Sequence, residues 1–304
     1  MKIKGILLTV ASAMLFGITP ILTKMTYGMG CTPATVTFYR NLMILPVLLA
    51  IMWWKKVDLS IDRKTFGQIF VIGGIGGGVT TMLLYSSYHY ISVGTATTLH
   101  FLYPVFVALI CSLFYGEKLG KVKAFALAAA TGGIALFFDG GGSSMVGIAI
   151  ALLSGLTYGY YMVAVEKKGL SDMNCWKLTF YQGFSITLGL LVYQLFAGDI
   201  IFIQTPKVYG LLFVIAMGTS LLGVLLLQLG IRYVGATTAA IFCMFEPITS
   251  VLAGALLLHE GLPLLKGIGC AVILGAAFLV VVSGKEEPEE PQLQQARGEV
   301  RIGD

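Results

Sequence analysis

The chain has 304 residues, 57% of them hydrophobic and only 12% charged, with a formal net charge of +5. A soluble domain carries about 25% charged residues, so 15 carboxylates and 20 Lys and Arg are too few to coat a globule of this size. This excludes an ordinary soluble protein, and because the charges gather between long apolar runs, the positive balance reports membrane topology rather than affinity for nucleic acid.

A helix needs ~20 apolar residues to cross a bilayer. Runs of that order lie at approximately 4–25, 33–54, 65–88, 93–116, 121–138, 145–165, 176–197, 207–229, 235–258 and 265–284, which makes ten predicted spans. Helices are expected because the runs are long and lack period-two alternation, and because a helix satisfies its own backbone hydrogen bonds in lipid. The first run lacks a small-residue cleavage site, so no cleavable signal peptide is expected. The five cysteines are odd in number and mostly lie within apolar runs, so no disulfide framework or metal-ligand spacing is read from them.

The first span carries Ser12 and Phe16 one turn apart and Lys24 at its outer edge, where a solvated interface charge is expected. Arg40 lies some 10 Å deep in the second span, at 1.5 Å per residue. It is placed either to bind a substrate carboxylate or, as the sequence slightly favours, to snorkel outward or meet a helix C-terminus. The third span holds Tyr85 and the run Gly73-Gly74-Ile75-Gly76-Gly77-Gly78. That run is no phosphate loop, since it is intramembrane and no Lys-Ser/Thr follows; close helix packing or a bend is expected. In the fourth span Thr97, His100 and Tyr103 share one face at i, i+3 spacing, Pro104 follows, and Glu117-x-Leu119 closes the segment. Glu117, just before the fifth span, is expected to favour that helix's N-terminus. His100 titrates near neutrality in water, which suits a proton relay, whereas the bland reading is a neutral ring bonded to a backbone carbonyl.

Asp139-Gly140-Gly141-Gly142-Ser143-Ser144 reads as a flexible link, after which the chain repeats itself. Gly5, Ser12 and Gly17 return as Gly147, Ser154 and Gly159 at an offset of 142. Tyr90, Pro104, Glu117 and Leu119 return as Tyr233, Pro247, Glu260 and Leu262 at an offset of 143. The expected domains are therefore two five-helix repeats, 1–142 and 143–284, with a disordered cytoplasmic tail at 285–304. Five is odd, so the second repeat must sit inverted relative to the first, an architecture in which a substrate site lies between the halves near the membrane midplane. The predicted fold class is thus an all-α integral membrane protein of ten transmembrane helices, two inverted repeats around a central cavity.

The halves differ at telling places. Cys243 stands opposite His100, Glu246 opposite Tyr103, Gln182 opposite Arg40, and Gln228 opposite Tyr85. Glu246 is the sharpest signal, because a charge at mid-membrane costs roughly 2.5–3.5 kcal/mol on insertion scales. A cavity-facing carboxylate there would bind a substrate amine or a proton; the bland alternative is a bond to a neighbouring helix where Pro247 frees a carbonyl. Tyr158 sits one turn from Ser154 as Phe16 does from Ser12, giving an aromatic wall with polar anchors. The substrate-binding candidates are Glu246, His100, Tyr103, Arg40, Ser12, Tyr85, Tyr158 and Gln228. No catalytic residue, metal or cofactor is expected.

Orientation follows the cationic loops. Of the 20 Lys and Arg, Lys24, Lys207 and Lys266 fall outside and Arg40 within a span, which leaves 16 inside when the N-terminus is placed inside. Both termini are assigned to the cytoplasm, and Trp53, Trp54 and Trp176 to the interface on that side.

Two five-helix halves, each with a proline in the fourth span (Pro104, Pro247) and Glu-x-Leu before the fifth (Glu117-Leu119, Glu260-Leu262), resemble the EamA-type drug/metabolite transporter superfamily, as does Phe38-Tyr39-Arg40 in the second span. The likeness covers residues 4–284 and departs at Gln182 and at His259-Glu260, where Gly-Glu stood in the first half. The resemblance, closest to the YddG-like amino-acid exporters, implies a central cavity lined largely by the first, third and fourth spans and their counterparts. It implies export or exchange of a small metabolite, an amino acid as best guess, across the cytoplasmic membrane. The partners this implies are a small-molecule substrate, the lipid bilayer, protons if transport is coupled, and a second copy in a homodimer; nucleic acid is not among them. The rival class, an integral-membrane enzyme acting on a lipid or prenyl substrate, would need clustered Asp, His or Glu at a membrane face, and the carboxylates here are scattered.

Overall fold

A computed structural model describes residues 2–136, 144–257 and 264–283. The expected tail, the Gly-rich link up to Ser143, and His259, Glu260 and Leu262 lie outside the described residues. Among the described residues every regular element is helical. The α-helices are α1 (Lys2–Tyr27), α2 (Pro33–Leu42), α3 (Ile44–Trp54), α4 (Arg63–Gly73), α5 (Thr80–Ser87), α6 (Val93–His100), α7 (Tyr103–Tyr115), α8 (Lys121–Ala135), α9 (Met145–Lys167), α10 (Cys175–Ala197), α11 (Pro206–Ile215), α12 (Val224–Val234), α13 (Ala236–Cys243), α14 (Phe245–Leu257) and α15 (Leu264–Ser283). Several join into longer rods, and eight stretches among the described residues are long and apolar enough to cross a membrane. Helix α8, with 15 residues, is only about 22 Å long at 1.5 Å per residue, short of a ~30 Å hydrocarbon core.

The breaks within rods follow the prolines. Helix α6 stops at His100 and α7 begins at Tyr103 because Pro104 has no N–H and its ring excludes the carbonyl four residues back. Pro247 does the same between α13 and α14. The face expected to carry Thr97, His100 and Tyr103 is therefore split by a turn rather than laid along one helix. Two π-helical segments, Gly74–Val79 between α4 and α5 and Ala216–Gly223 between α11 and α12, occupy equivalent places in the two halves. The glycine run makes the close approach expected of it, since a Cβ on Gly76 would collide with the Tyr161 ring and one on Gly77 with Ile186.

Helix starts repeat as well. Thr32 and Asn174, and Asp62 and Thr205, are side-chain N-caps at matching positions. At the third matching pair Ser92 caps α6, but its counterpart Gly235 has no side chain to offer. The carboxylate of Glu166 supplies the missing acceptor to the Ala236 N–H.

Packing exchanges partners between halves. Helix α1 lies against α12, α13 and α14, and its counterpart α9 against α5, α6 and α7. Glycines permit both approaches, since a Cβ on Gly17 would lie 2.5 Å from the Glu246 carbonyl and one on Gly159 3.3 Å from the Tyr103 carbonyl. The α2–α3 rod and α10 run antiparallel: Thr35 bonds Ile201, Ile44 packs on Gly183, and Tyr181 bonds the carbonyl of Leu59. Large apolar side chains such as Leu113, Phe114, Leu195, Phe196 and Phe278 are exposed on the outer faces, as lipid contact requires.

Candidate functional site

Between the helices lies a cavity of about 130 Å³, walled chiefly by α1, α2, α5, α6, α9, α10, α12, α14 and both π-helical segments. Phe16, Leu84, Phe101, Tyr158, Tyr161, Ile186 and Leu227 are among its apolar wall, and Arg40, Glu246, His100, Tyr85, Asn41, Gln182, Ser220 and several threonines, Thr19 and Thr219 among them, are polar points on it. The volume matches a ligand of roughly benzene size rather than a drug-sized one.

Glu246 stands in the first turn of α14, immediately before Pro247, and is 5% exposed. Its Oε1 accepts a 3.1 Å hydrogen bond from the hydroxyl of Tyr103, which is itself 1% exposed. These two residues occupy the same position in the two repeats, so the mismatch read from sequence is also a contact. Tyr103 lies behind Glu246 and does not line the cavity.

Arg40 is buried in the last turn of α2, so it does not snorkel outward, one of the two structural roles the sequence offered. Its Nε donates to Ser220 Oγ at 2.7 Å and its Nη1 to the Tyr85 hydroxyl at 3.0 Å. Tyr85 also accepts from Thr23 at 3.2 Å. Among the described residues no carboxylate pairs with Arg40 and no cation pairs with Glu246. One cavity thus holds a buried cation and a buried carboxylate, each bonded to neutral groups. Burying a charge without an opposite partner is costly, so both are suited to complementary charges brought by a ligand.

His100 lines the cavity, but it binds Ser154 rather than a backbone carbonyl. Ser154 Oγ donates to the Ala151 carbonyl at 2.6 Å, so it must accept from His100 Nδ1–H at 2.9 Å, which leaves Nε2 as an acceptor in the neutral ring. Tyr158 joins His100 to Tyr103 in an aromatic cluster with centroid separations of 5.5 and 4.7 Å.

Ser12 and Gln228 do not line the cavity. Ser12 is fully buried and donates to the Gly223 carbonyl at 2.7 Å, fastening α1 to the second π-helical segment. Gln228 donates at 2.7 Å to Gln182 Oε1 and accepts from Thr179 at 3.2 Å, so the lining amide is Gln182. Thr19 and Thr219, bonded to each other at 2.7 Å across the cavity wall, were not foreseen. The only sequence hint was that Thr219 stands opposite Gly76 in the repeat. Glu117 does not cap α8; it pairs with Lys167, which also bonds Glu166 at 3.1 Å. Lys24 is exposed, as expected. Among the described residues no cluster of His, Cys, Asp or Glu has the makings of a metal site.

Residues 3–139 and 145–282 each match the EamA-like transporter family. An uncharacterized transporter of Bacillus subtilis, YcbK, is 27% identical over 313 residues, covering 93% of this chain and 96% of the relative. An uncharacterized transporter of Archaeoglobus fulgidus is 26% identical over 276 residues, covering 89% of this chain and 93% of the relative. A solved crystal structure superposes with a TM-score of 0.78 at 15% identity, covering 93% of this chain and 98% of that one, which shows a shared fold.

Proposed function

This chain belongs to the EamA-like transporter family, and we propose that it is a secondary transporter that carries a small zwitterion, an amino acid, through this cavity by alternating access. The observation that carries the substrate assignment is the placement of Arg40 and Glu246. Both are buried in one small cavity wall and neither pairs with an opposite charge among the described residues. An α-carboxylate bound to Arg40 and an α-ammonium bound to Glu246 would neutralise both, while Phe16, Tyr158 and Leu227 accept the side chain. Export or exchange across the cytoplasmic membrane is proposed from the family resemblance, and the placement of both termini in the cytoplasm from the cationic loops.

The accompanying fold reading is ten spans in two inverted five-helix repeats. It draws support from the exchange of partners by α1 and α9 and from the antiparallel course of α2–α3 and α10, which are equivalent elements. Contact between Tyr103 and Glu246 supports it too, since equivalent residues meet only where a symmetry axis passes between them. Such a pair of halves has two packings of similar energy, and rocking one half on the other exposes the cavity to each side in turn. Glu246 is also the residue assigned to proton coupling, because it is the one carboxylate in the cavity wall among the described residues.

The test is a thermal-stability screen of the purified protein followed by counterflow in proteoliposomes, with amino acids set against matched acids, amines and sugars. A ligand of the folded state raises its melting temperature by mass action. Zwitterions should stabilise and exchange, while matched acids and amines should do so much less. Equal responses from neutral sugars, or none from any amino acid, would remove the substrate assignment. Unchanged pH dependence of transport in Glu246→Gln would remove the coupling role.

A further inference from the structure

At one end of the helix assembly, away from the cavity, the turn after α3 and the start of α10 enclose a second, shallow pocket of about 540 Å³. Lys55, Lys56, Val57, Asp58, Met173, Asn174 and Lys177 line it. Three ammonium groups face one carboxylate. Asp58 is engaged locally, accepting from the Ser60 N–H at 2.9 Å and from the Ser60 hydroxyl, and these bonds hold it below the usual carboxylate range. Lys177 donates to the Ser60 carbonyl, which fastens the loop to α10. Among the described residues the Lys56 ammonium makes no hydrogen bond or ion pair; its backbone N–H donates to the Trp53 carbonyl, and the residue sits at φ +53°, a left-handed conformation unusual for a lysine. The N-terminus of α10 begins at the same pocket, beside its Asn174 cap, and adds a partial positive charge.

The surroundings identify the anion. Lys55 Nζ lies 5.8 Å from the Trp54 ring and 5.7 Å from the Trp176 ring, between two indoles of the kind that settle at headgroup level. Trp53 and Trp54 are 83% and 78% exposed, and Trp53 shares a face of α3 with the exposed Leu49 one turn away. The basic pocket therefore opens at the rim of an apolar helix face in a multi-pass membrane protein. We infer that it binds the phosphodiester headgroup of an anionic phospholipid, with an acyl chain running along α3 past Trp53 and Leu49. Lysines placed just beyond a membrane-spanning helix attract anionic lipid, and this pocket gathers three of them along one lining. The inference is independent of what the cavity transports.

The test is native mass spectrometry of the full chain in detergent, titrated with phosphatidylglycerol and with phosphatidylcholine, with and without millimolar inorganic phosphate. Phosphatidylglycerol should bind at least tenfold more tightly than phosphatidylcholine and survive inorganic phosphate. In Lys55→Gln/Lys56→Gln/Lys177→Gln its affinity should fall by about fivefold for each lysine removed. The arginine triple should keep the affinity, and Lys118→Gln/Lys121→Gln/Lys168→Gln, which removes the same charge from other exposed positions, should change it by less than twofold. If the neutral triple does not fold, exposed Lys56→Gln alone should show about the fivefold loss. Equal affinity for the two lipids, or undiminished phosphatidylglycerol binding in the pocket variants, would overturn the inference. Displacement of the lipid by inorganic phosphate would overturn it too, by making the pocket a site for soluble anions.

Discussion

Glu246→Gln separates the charge of this side chain from its place in the fold. Glu246 is 5% exposed, and its Oε1 accepts the Tyr103 hydroxyl at 3.1 Å. A glutamine keeps an Oε1 acceptor of the same size in the same place, so the contact with Tyr103 survives and the melting temperature should change little. What disappears is the negative charge available to a ligand ammonium. Hydrogen bonds to charged groups are worth about 1.5–3 kcal/mol, and 1.4 kcal/mol is a factor of ten, so affinity for the best amino acid should fall by about 10- to 150-fold. The assay is a cycle in which protein and ligand are each altered, with dissociation constants measured by calorimetry. Replacing the ligand's amino group by hydroxyl should cost the wild type about the same factor, and Glu246→Gln almost nothing. Such a cycle isolates the pair when each change removes one partner without adding a new contact. If the hydroxy acid loses as much affinity against Glu246→Gln as against the wild type, the ammonium sits elsewhere and the assignment is refuted.

The mirror experiment pairs Arg40→Gln with amino-acid amides, and the penalty for losing the ligand carboxylate should vanish in that variant. Thr19→Val should lower stability by about 1–3 kcal/mol by orphaning the Thr219 hydroxyl, Thr219→Val should cost less because Thr19 keeps its 3.1 Å bond to the Leu15 carbonyl, and the double variant should recover part of the Thr19→Val loss in thermal unfolding. Gly17→Ala places a Cβ 2.5 Å from the Glu246 carbonyl and 2.7 Å from Thr249 Cβ, so it should cost about 1–3 kcal/mol or more, whereas Gly67→Ala, which meets nothing within 4 Å, should unfold like wild type. Glu166→Ala removes the acceptor that serves the Ala236 N–H, and a loss of roughly 0.5–2 kcal/mol is expected, as for other helix caps. Single cysteines at exposed Lys118 and Lys207 should be labelled by impermeant reagents from opposite sides of the membrane, and labelling from the same side would refute the topology.

Where sequence reasoning stopped short, it did so for one physical reason. An offset of 142 or 143 residues says which positions are equivalent, but not which of them touch. Ser12 and Ser154 are equivalent, yet Ser154 holds His100 beside the cavity while Ser12 is sealed against Gly223. Tyr85 and Gln228 are equivalent, yet only Tyr85 reaches the cavity, where it meets Arg40. Glu117 looked like a cap because α8 begins just after it, and only the packing of α7 against α9 brings it to Lys167.

Membrane residence, helical class, the duplicated unit and the proline breaks were legible in the chain itself, because each is a local or periodic property. Twenty apolar residues cannot stay in water, and a proline cannot continue a helix wherever it is placed. That Glu246 would turn inward rather than face lipid was legible too, since a charge inside an apolar span is costly in any fold. That Tyr103 should bond it, that Arg40 should face the same cavity with no carboxylate partner among the described residues, and that Glu166 should complete a helix start 70 residues away are matters of how helices from the two halves cross. Those crossings depend on where glycines let backbones approach, and a contact between distant segments has no signature in either segment alone.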